Sequence, residues 1–139
     1  MLANKTLFGL IFLLFVPVVF AQEPAAAAPA QPKVVYHGFD PDIVTNYVSE
    51  SQKSLGYVRV TMELMIKDEK FLPMVEHHEP LILNAIVATF GKEQEDAVKS
   101  LTGREEIRMA ILEKLQQAMK KEAGDKMIRD ILFTKYLYQ

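Results

Sequence analysis

The last twelve residues, "IRDILFTKYLYQ", constrain the fold more than any other stretch. Chain ends fray unless they are tied down. This one stops on Phe133, Tyr136, Leu137 and Tyr138, residue types that suit a pleated, packed strand. A strand placed there must pair with strands from far upstream. The C-terminus is therefore expected to be paired and buried, and to close a sheet.

Its natural partner is "YVRVTMELMI". Val58, Val60, Met62, Leu64 and Ile66 fall on one face, and Tyr57, Arg59, Thr61, Glu63 and Met65 on the other. Such period-two alternation predicts an antiparallel strand with one buried and one wetter face. "DIVTNYV" predicts a first strand near 42–48, after turn signals at His37-Gly38 and Asp40-Pro41.

Between these strands and the C-terminus the pattern is helical. Pro73 and Pro80 can each open a helix. "LILNAIVATF" is apolar nearly all round, which predicts a helix buried on most of its surface and ended by Gly91. "KEQEDAVKS" predicts a short polar helix with Ala97 and Val98 inward. "TGRE" predicts a capping box, with Thr102 as N-cap and Glu105 reaching back. The helix that follows carries Ile107, Ala110, Ile111, Leu115, Ala118 and Met119 as one stripe, with Lys120, Lys121 and Gly124 at its end. The order strand, strand, three helices, strand predicts an α+β domain, a small and mostly antiparallel sheet with about three helices on one face.

The N-terminus reads differently. Lys5 precedes an apolar run from Leu7 to Ala21, shorter than the roughly 20 residues of a spanning helix. Val19 and Ala21 stand where a signal peptidase would look for small residues before Gln22. Residues 1–21 are thus a cleaved signal peptide or a short, uncleaved membrane anchor. Residues 22–39 form a linker, its Pro/Ala-rich part "EPAAAAPAQPK" favouring extended polyproline II. The domain is expected over 40–139.

Composition narrows the chemistry. The net charge is −2 with both signs interspersed, and no basic stripe is available for phosphates, so no nucleic-acid partner is expected. Glu76-His77-His78-Glu79 is the one concentrated polar cluster. Neighbouring helix positions point apart and the chain has no Cys, so the run is read as a solvated loop between two prolines rather than a metal site. Ser49, Ser51, Ser54 and Ser100 lie in no nucleophile elbow, and Gly91-Lys92 lacks the rest of a phosphate loop. No catalysis, cofactor or small-molecule substrate is expected. Of the seven methionines, Met62, Met109 and Met119 fall on apolar faces and are read as core filling. Arg59, Glu63 and Met65, on the wetter strand face, are the candidate partner-contact residues.

In order along residues 40–139, four pieces resemble the flagellar basal-body-associated protein FliL family. They are "LGYVRVTMELMI", "HHEPLILNAIVATFG", "SLTGREEIRMAILEKLQQAM" and "MIRDILFTKYLYQ", the last closing on Phe133-Thr134 and Gln139. Ile131-Leu132 stand where the family usually has Val-Tyr. The resemblance implies a domain similar to the stomatin/prohibitin core on the periplasmic side of the bacterial inner membrane, held there by the N-terminus if it is uncleaved. It implies a homo-oligomeric ring around the flagellar stator subunits and basal body. The role it implies is non-catalytic support of flagellar rotation, swimming, swarming and chemotaxis. Cleavage at Ala21/Gln22 would instead leave a soluble periplasmic interaction module of the same fold, scaffolding another envelope complex.

Overall fold

The computed structural model describes residues 30–51 and 55–139. The leader or anchor expected over 1–21, and the linker as far as residue 29, lie outside the described residues.

One long strand organises the rest. β3, Gly56–Ile66, alternates as its sequence predicts: Val58, Val60, Met62, Leu64 and Ile66 are buried, while the intervening side chains are half-buried or exposed. Two short strands share one of its edges, both antiparallel. β1, Val35–Gly38, covers its second half (Val35 opposite Ile66), and β2, Ile43–Tyr47, covers its first half (Ile43 opposite Val60). The C-terminal strand β4, Ile128–Tyr138, runs antiparallel along the whole of the other edge, interrupted by two register shifts. His37-Gly38 is therefore strand and not turn. β1 lies ahead of residue 40, where the domain was expected to begin, and its pairing comes from far along the chain.

β4 departs from expectation in one respect. It is paired throughout, but Leu137 and Tyr138 are about half exposed and Phe133 and Tyr136 only partly buried. An edge strand has a neighbour on one side only, so pairing does not bring full burial.

Helices pack on the buried sheet face. A 3-10 turn, Glu69–Phe71, leads into α1, Leu72–His77, then α2, Glu79–Phe90, α3, Glu95–Lys99, and α4, Leu101–Ala123. Among the described residues there are thus four α-helices where the sequence predicts three. The addition is α1, opened by Pro73 and buried at Val75. The Glu76–Glu79 run is helical up to His77 and again from Glu79, not a loop. α2 buries Ile82, Ile86 and Phe90 but leaves Leu81 and Val87 exposed, a narrower buried face than its composition predicts. Met109 is likewise half exposed, while Met62 and Met119 are core.

The cap of α4 differs in detail. Ser100, not Thr102, is the N-cap, its hydroxyl accepting from the Gly103 N–H at 3.0 Å. Glu105 turns to Arg108 instead of reaching back. The cause is tertiary. Ser100 also closes α3, so the two helices meet at one extended residue. Gly103 then presses so closely on α3 that a Cβ there would stand 2.1 Å from the Ala97 carbonyl oxygen. The far end behaves as predicted: Lys120 and Lys121 lie in the last turn, and Gly124 takes the left-handed conformation at φ 81°.

The core lies between sheet and helices. Ile107, Ile111, Leu115 and Met119 of α4 and the buried face of α2 oppose the inward side chains of β3, with Tyr47, Ile128 and Ile131 from the flanking strands.

Candidate interaction site

Two open surfaces adjoin the sheet. The first is its outer face, where the sequence places its candidates, and the structure puts Arg59, Glu63 and Met65 there together on alternate positions of β3. The pairing register builds rows across the face: Tyr36–Met65–Asp130, Gly38–Glu63–Leu132, and Val44–Arg59–Leu137. Tyr36, Val44, Tyr57 and Leu137 are each about half exposed or more, a scattered apolar surface broken by charge.

The three candidates differ in how free they are. Arg59 is tied to Asp42, Nε to Oδ2 at 2.9 Å. The Thr61 hydroxyl donates to the other oxygen of that carboxylate at 2.8 Å. The Thr61 hydroxyl first, and Arg59 second, hold the Asp42 carboxyl below its usual range. Met65 is half-buried beside Tyr36, Arg129 and Asp130, around a shallow hollow of about 480 Å³. Glu63 forms no ion pair among the described residues.

The second surface brings together residues of α4 and β4 that lie far apart in the sequence. It is a groove of about 350 Å³ where the first turns of α4 lie along β4, lined by Leu101, Arg104, Arg108, Asp130, Leu132 and Tyr136 among others. Phe133 and Tyr136 line it with ring centroids 5.6 Å apart, and both pack on the buried ring of Phe90 at 6.4 and 6.2 Å. Arg108 is bound on both sides, by Glu105 on its own helix and by Asp130 of β4. The Glu105 carboxylate, first, raises the Arg108 guanidinium further, and Arg108 in turn lowers Glu105. Among the described residues Arg104 has no such carboxylate partner. Its Cζ sits 4.9 Å from the centroid of Tyr136, and its Nε and the Tyr136 hydroxyl are both buried without a hydrogen bond. The signal in the sequence is one cation per helical turn at Arg104 and Arg108, but only the fold reveals that one is spent and the other is not.

Other polar groups are structural ties. His37 Nε2 and Glu79 Oε2, 3.0 Å apart, join β1 to α2. His77 and His78 meet edge to face at 5.1 Å. No group of three or more metal-ligating side chains converges among the described residues. Among those residues, too, no helix is long and apolar enough to cross a membrane.

Comparison with known proteins gives this arrangement a family. The model of the family "Flagellar basal body-associated protein FliL" matches residues 36–139, from β1 to the end of β4. The chain is similar to the protein named "Flagellar protein FliL" of Aquifex aeolicus (strain VF5). The two are 24% identical over 112 residues, 81% of this chain and 65% of that protein, so the chain spans less than two thirds of the relative's length. The matched region carries all four strands, α4 with its Gly103-Arg104-Glu105 turn, and both open surfaces, and the chain belongs to the FliL family of flagellar basal body-associated proteins.

Proposed function

We propose that this chain is a non-catalytic accessory of the flagellar motor. It would stand on the periplasmic side of the inner membrane, self-associate into a ring and brace the stator units that drive rotation, swimming, swarming and chemotaxis. The match to the FliL family over residues 36–139 carries the reading. The resemblance to the stomatin/prohibitin core belongs to the same proposal, because such domains act by assembling side by side.

The mechanism is geometric. The outer sheet face, with Arg59, Glu63 and Met65 among exposed Tyr36, Val44 and Leu137, is the surface proposed for subunit or stator contact. Its balanced charge and scattered apolar groups suit a contact that forms beside a membrane without promoting indiscriminate aggregation. Deleting the gene and restoring it with Arg59→Glu/Met65→Lys tests the role. The deletion should slow swimming and swarming, and the double variant should fail to restore them while folding normally. Unchanged swimming speed, swarming and switching in the deletion strain would end the motor reading.

A second reading rests on Val19 and Ala21 before Gln22. If the leader is removed, the domain is a periplasmic module scaffolding another envelope complex. N-terminal sequencing of protein extracted from the envelope separates the two: a start at Gln22 favours the module, and retention of residues 1–21 favours the anchored accessory.

A further inference from the structure

β4 is an edge strand, and its free edge is closed along only half its length. In an antiparallel ladder, residues alternate between bonding the neighbour and pointing their N–H and C=O away from it. Tyr57 and Gln139 exchange both bonds, at 3.1 and 2.9 Å. Leu137 and Lys135 therefore face β3, while Tyr138 and Tyr136 face outward. Beyond the register shift between Thr61 and Met62, the outward residues are Phe133 and Ile131.

At Ile131 both outward groups are occupied. The N–H donates to Asp130 Oδ1 at 2.8 Å, and the C=O accepts from Arg108 Nη1 at 3.3 Å. Two turns of α4 further on, Gln116 Nε2 donates to the Ile128 carbonyl at 2.9 Å. Phe133, Tyr136 and Tyr138 have no such side-chain cap among the described residues. The open edge runs beside the groove that holds the unpaired Arg104.

We propose that the Phe133–Tyr138 edge is a docking site for an extended polypeptide segment carrying a carboxylate, added as a further strand with that carboxylate on Arg104. Main-chain groups in a row are matched by another strand, whose alternate side chains reach whatever flanks the edge. Here the flanks are exposed Leu101 and Leu132, and the guanidinium of Arg104. Arg104 is already pre-positioned over the Tyr136 ring. The Tyr136 hydroxyl, which burial pushes up to about 12, stays protonated beneath it. In a second copy of the same edge, the two carboxylates that line this groove, Glu105 and Asp130, are both engaged by Arg108. This surface adjoins the outer face carrying Arg59, Glu63 and Met65 at Leu132, which pairs with Glu63.

The test is an amide NMR titration of the full chain in detergent micelles. The probe is a peptide of about eight residues, a typical strand length, alternating Val and Thr around one central Asp. Its twin carries Lys in place of that Asp. The expected result is slowed exchange and shifted resonances at Phe133, Tyr136 and Tyr138, with the Asp peptide bound about tenfold tighter than its twin. Arg104→Gln should bring that ratio to about one, since it removes the charge and leaves the edge. Tyr138→Pro deletes an outward N–H that β3 does not use and should weaken both peptides alike. Equal affinity of the two peptides for the unaltered chain overturns the proposal, as do shifts confined to Val44, Tyr57 and Leu137. Protection of the edge amides that rises with protein concentration in the absence of peptide also overturns it, because the occupant is then a second copy.

Discussion

Replacing Gly103 by alanine sets two effects of similar size against each other. In a helix, alanine is favoured over glycine by about 1 kcal/mol, so an isolated peptide covering Ser100–Ala123 should gain helicity from the change. In the folded domain the new Cβ would lie 2.1 Å from the Ala97 carbonyl oxygen and 2.6 Å from its Cα and carbonyl carbon. These are backbone atoms, which cannot rotate away, so α3 must be pushed off α4. Overpacking of this kind costs about 1–3 kcal/mol, and displacing the Ser100 cap adds about 1 kcal/mol. The net expectation is a loss of about 1–3 kcal/mol, or a fall in Tm of roughly 5–20 °C for a domain of this size. Thermal melts of the full chain followed by circular dichroism check it, with peptide helicity as the control. Because the clash is with main chain, adding Ala97→Gly should restore little. A Gly103→Ala chain that melts with or above the parent would refute the reasoning, as would full rescue by Ala97→Gly.

Three further outcomes are expected. Glu95 joins α3 to the β2–β3 connection, accepting from Lys99, the Glu50 N–H and the Ser49 hydroxyl; Lys99 first, these hold its carboxyl down to about 2. Since the unfolded chain takes up that proton at higher pH, the stabilisation is whole above an ordinary carboxylate pKa and is lost as pH falls through about 2. Acid denaturation curves of Glu95→Gln should lack that component, and a carboxyl NMR midpoint near 4.5, the ordinary value, would contradict it. Gly56→Ala places a Cβ 2.2 Å from the ring of buried Tyr47, whose hydroxyl donates to the Gln139 carbonyl at 3.0 Å. Ring displacement and loss of that bond should cost about 2–4 kcal/mol by urea melts, and a change below about 0.5 kcal/mol would show the site to be slack. Truncation before Ile131 should unfold the whole domain, because it removes a fully buried side chain and uncovers most of one edge of β3. A truncated protein with an unchanged melting transition would sink that expectation.

What the sequence makes legible divides along physical lines. β3 and α4 can be read directly because each buries one continuous face, and a buried face writes its period into the chain. β1 cannot. Four residues of mixed polarity become a strand because β3 has an unpaired half-edge opposite them, and that vacancy exists only after folding. The choice of Ser100 over Thr102 is of the same kind. Two hydroxyls stand two residues apart, and the close approach of Gly103 to α3 decides between them. The half-exposure of α2 follows similarly, since nothing in an all-apolar helix says which side its neighbours will leave bare.

The candidate surfaces divide in the same way. Arg59, Glu63 and Met65 are legible as a set, because alternation alone places them on one face. It does not reveal that Asp42, seventeen residues upstream of Arg59, already occupies the arginine. The groove is harder still to foresee. Arg104 and Arg108 are equivalent in the sequence, one turn apart on α4. The fold makes them opposite: Arg108 closes the β4 edge at Ile131 and is satisfied by two carboxylates, whereas Arg104 lies where that closure ends. A charge becomes a docking group when its neighbours leave it unpaired beside unpaired backbone, and both conditions are long-range properties. The C-terminal strand thus closes the sheet on one side and, along Phe133–Tyr138, leaves it open on the other.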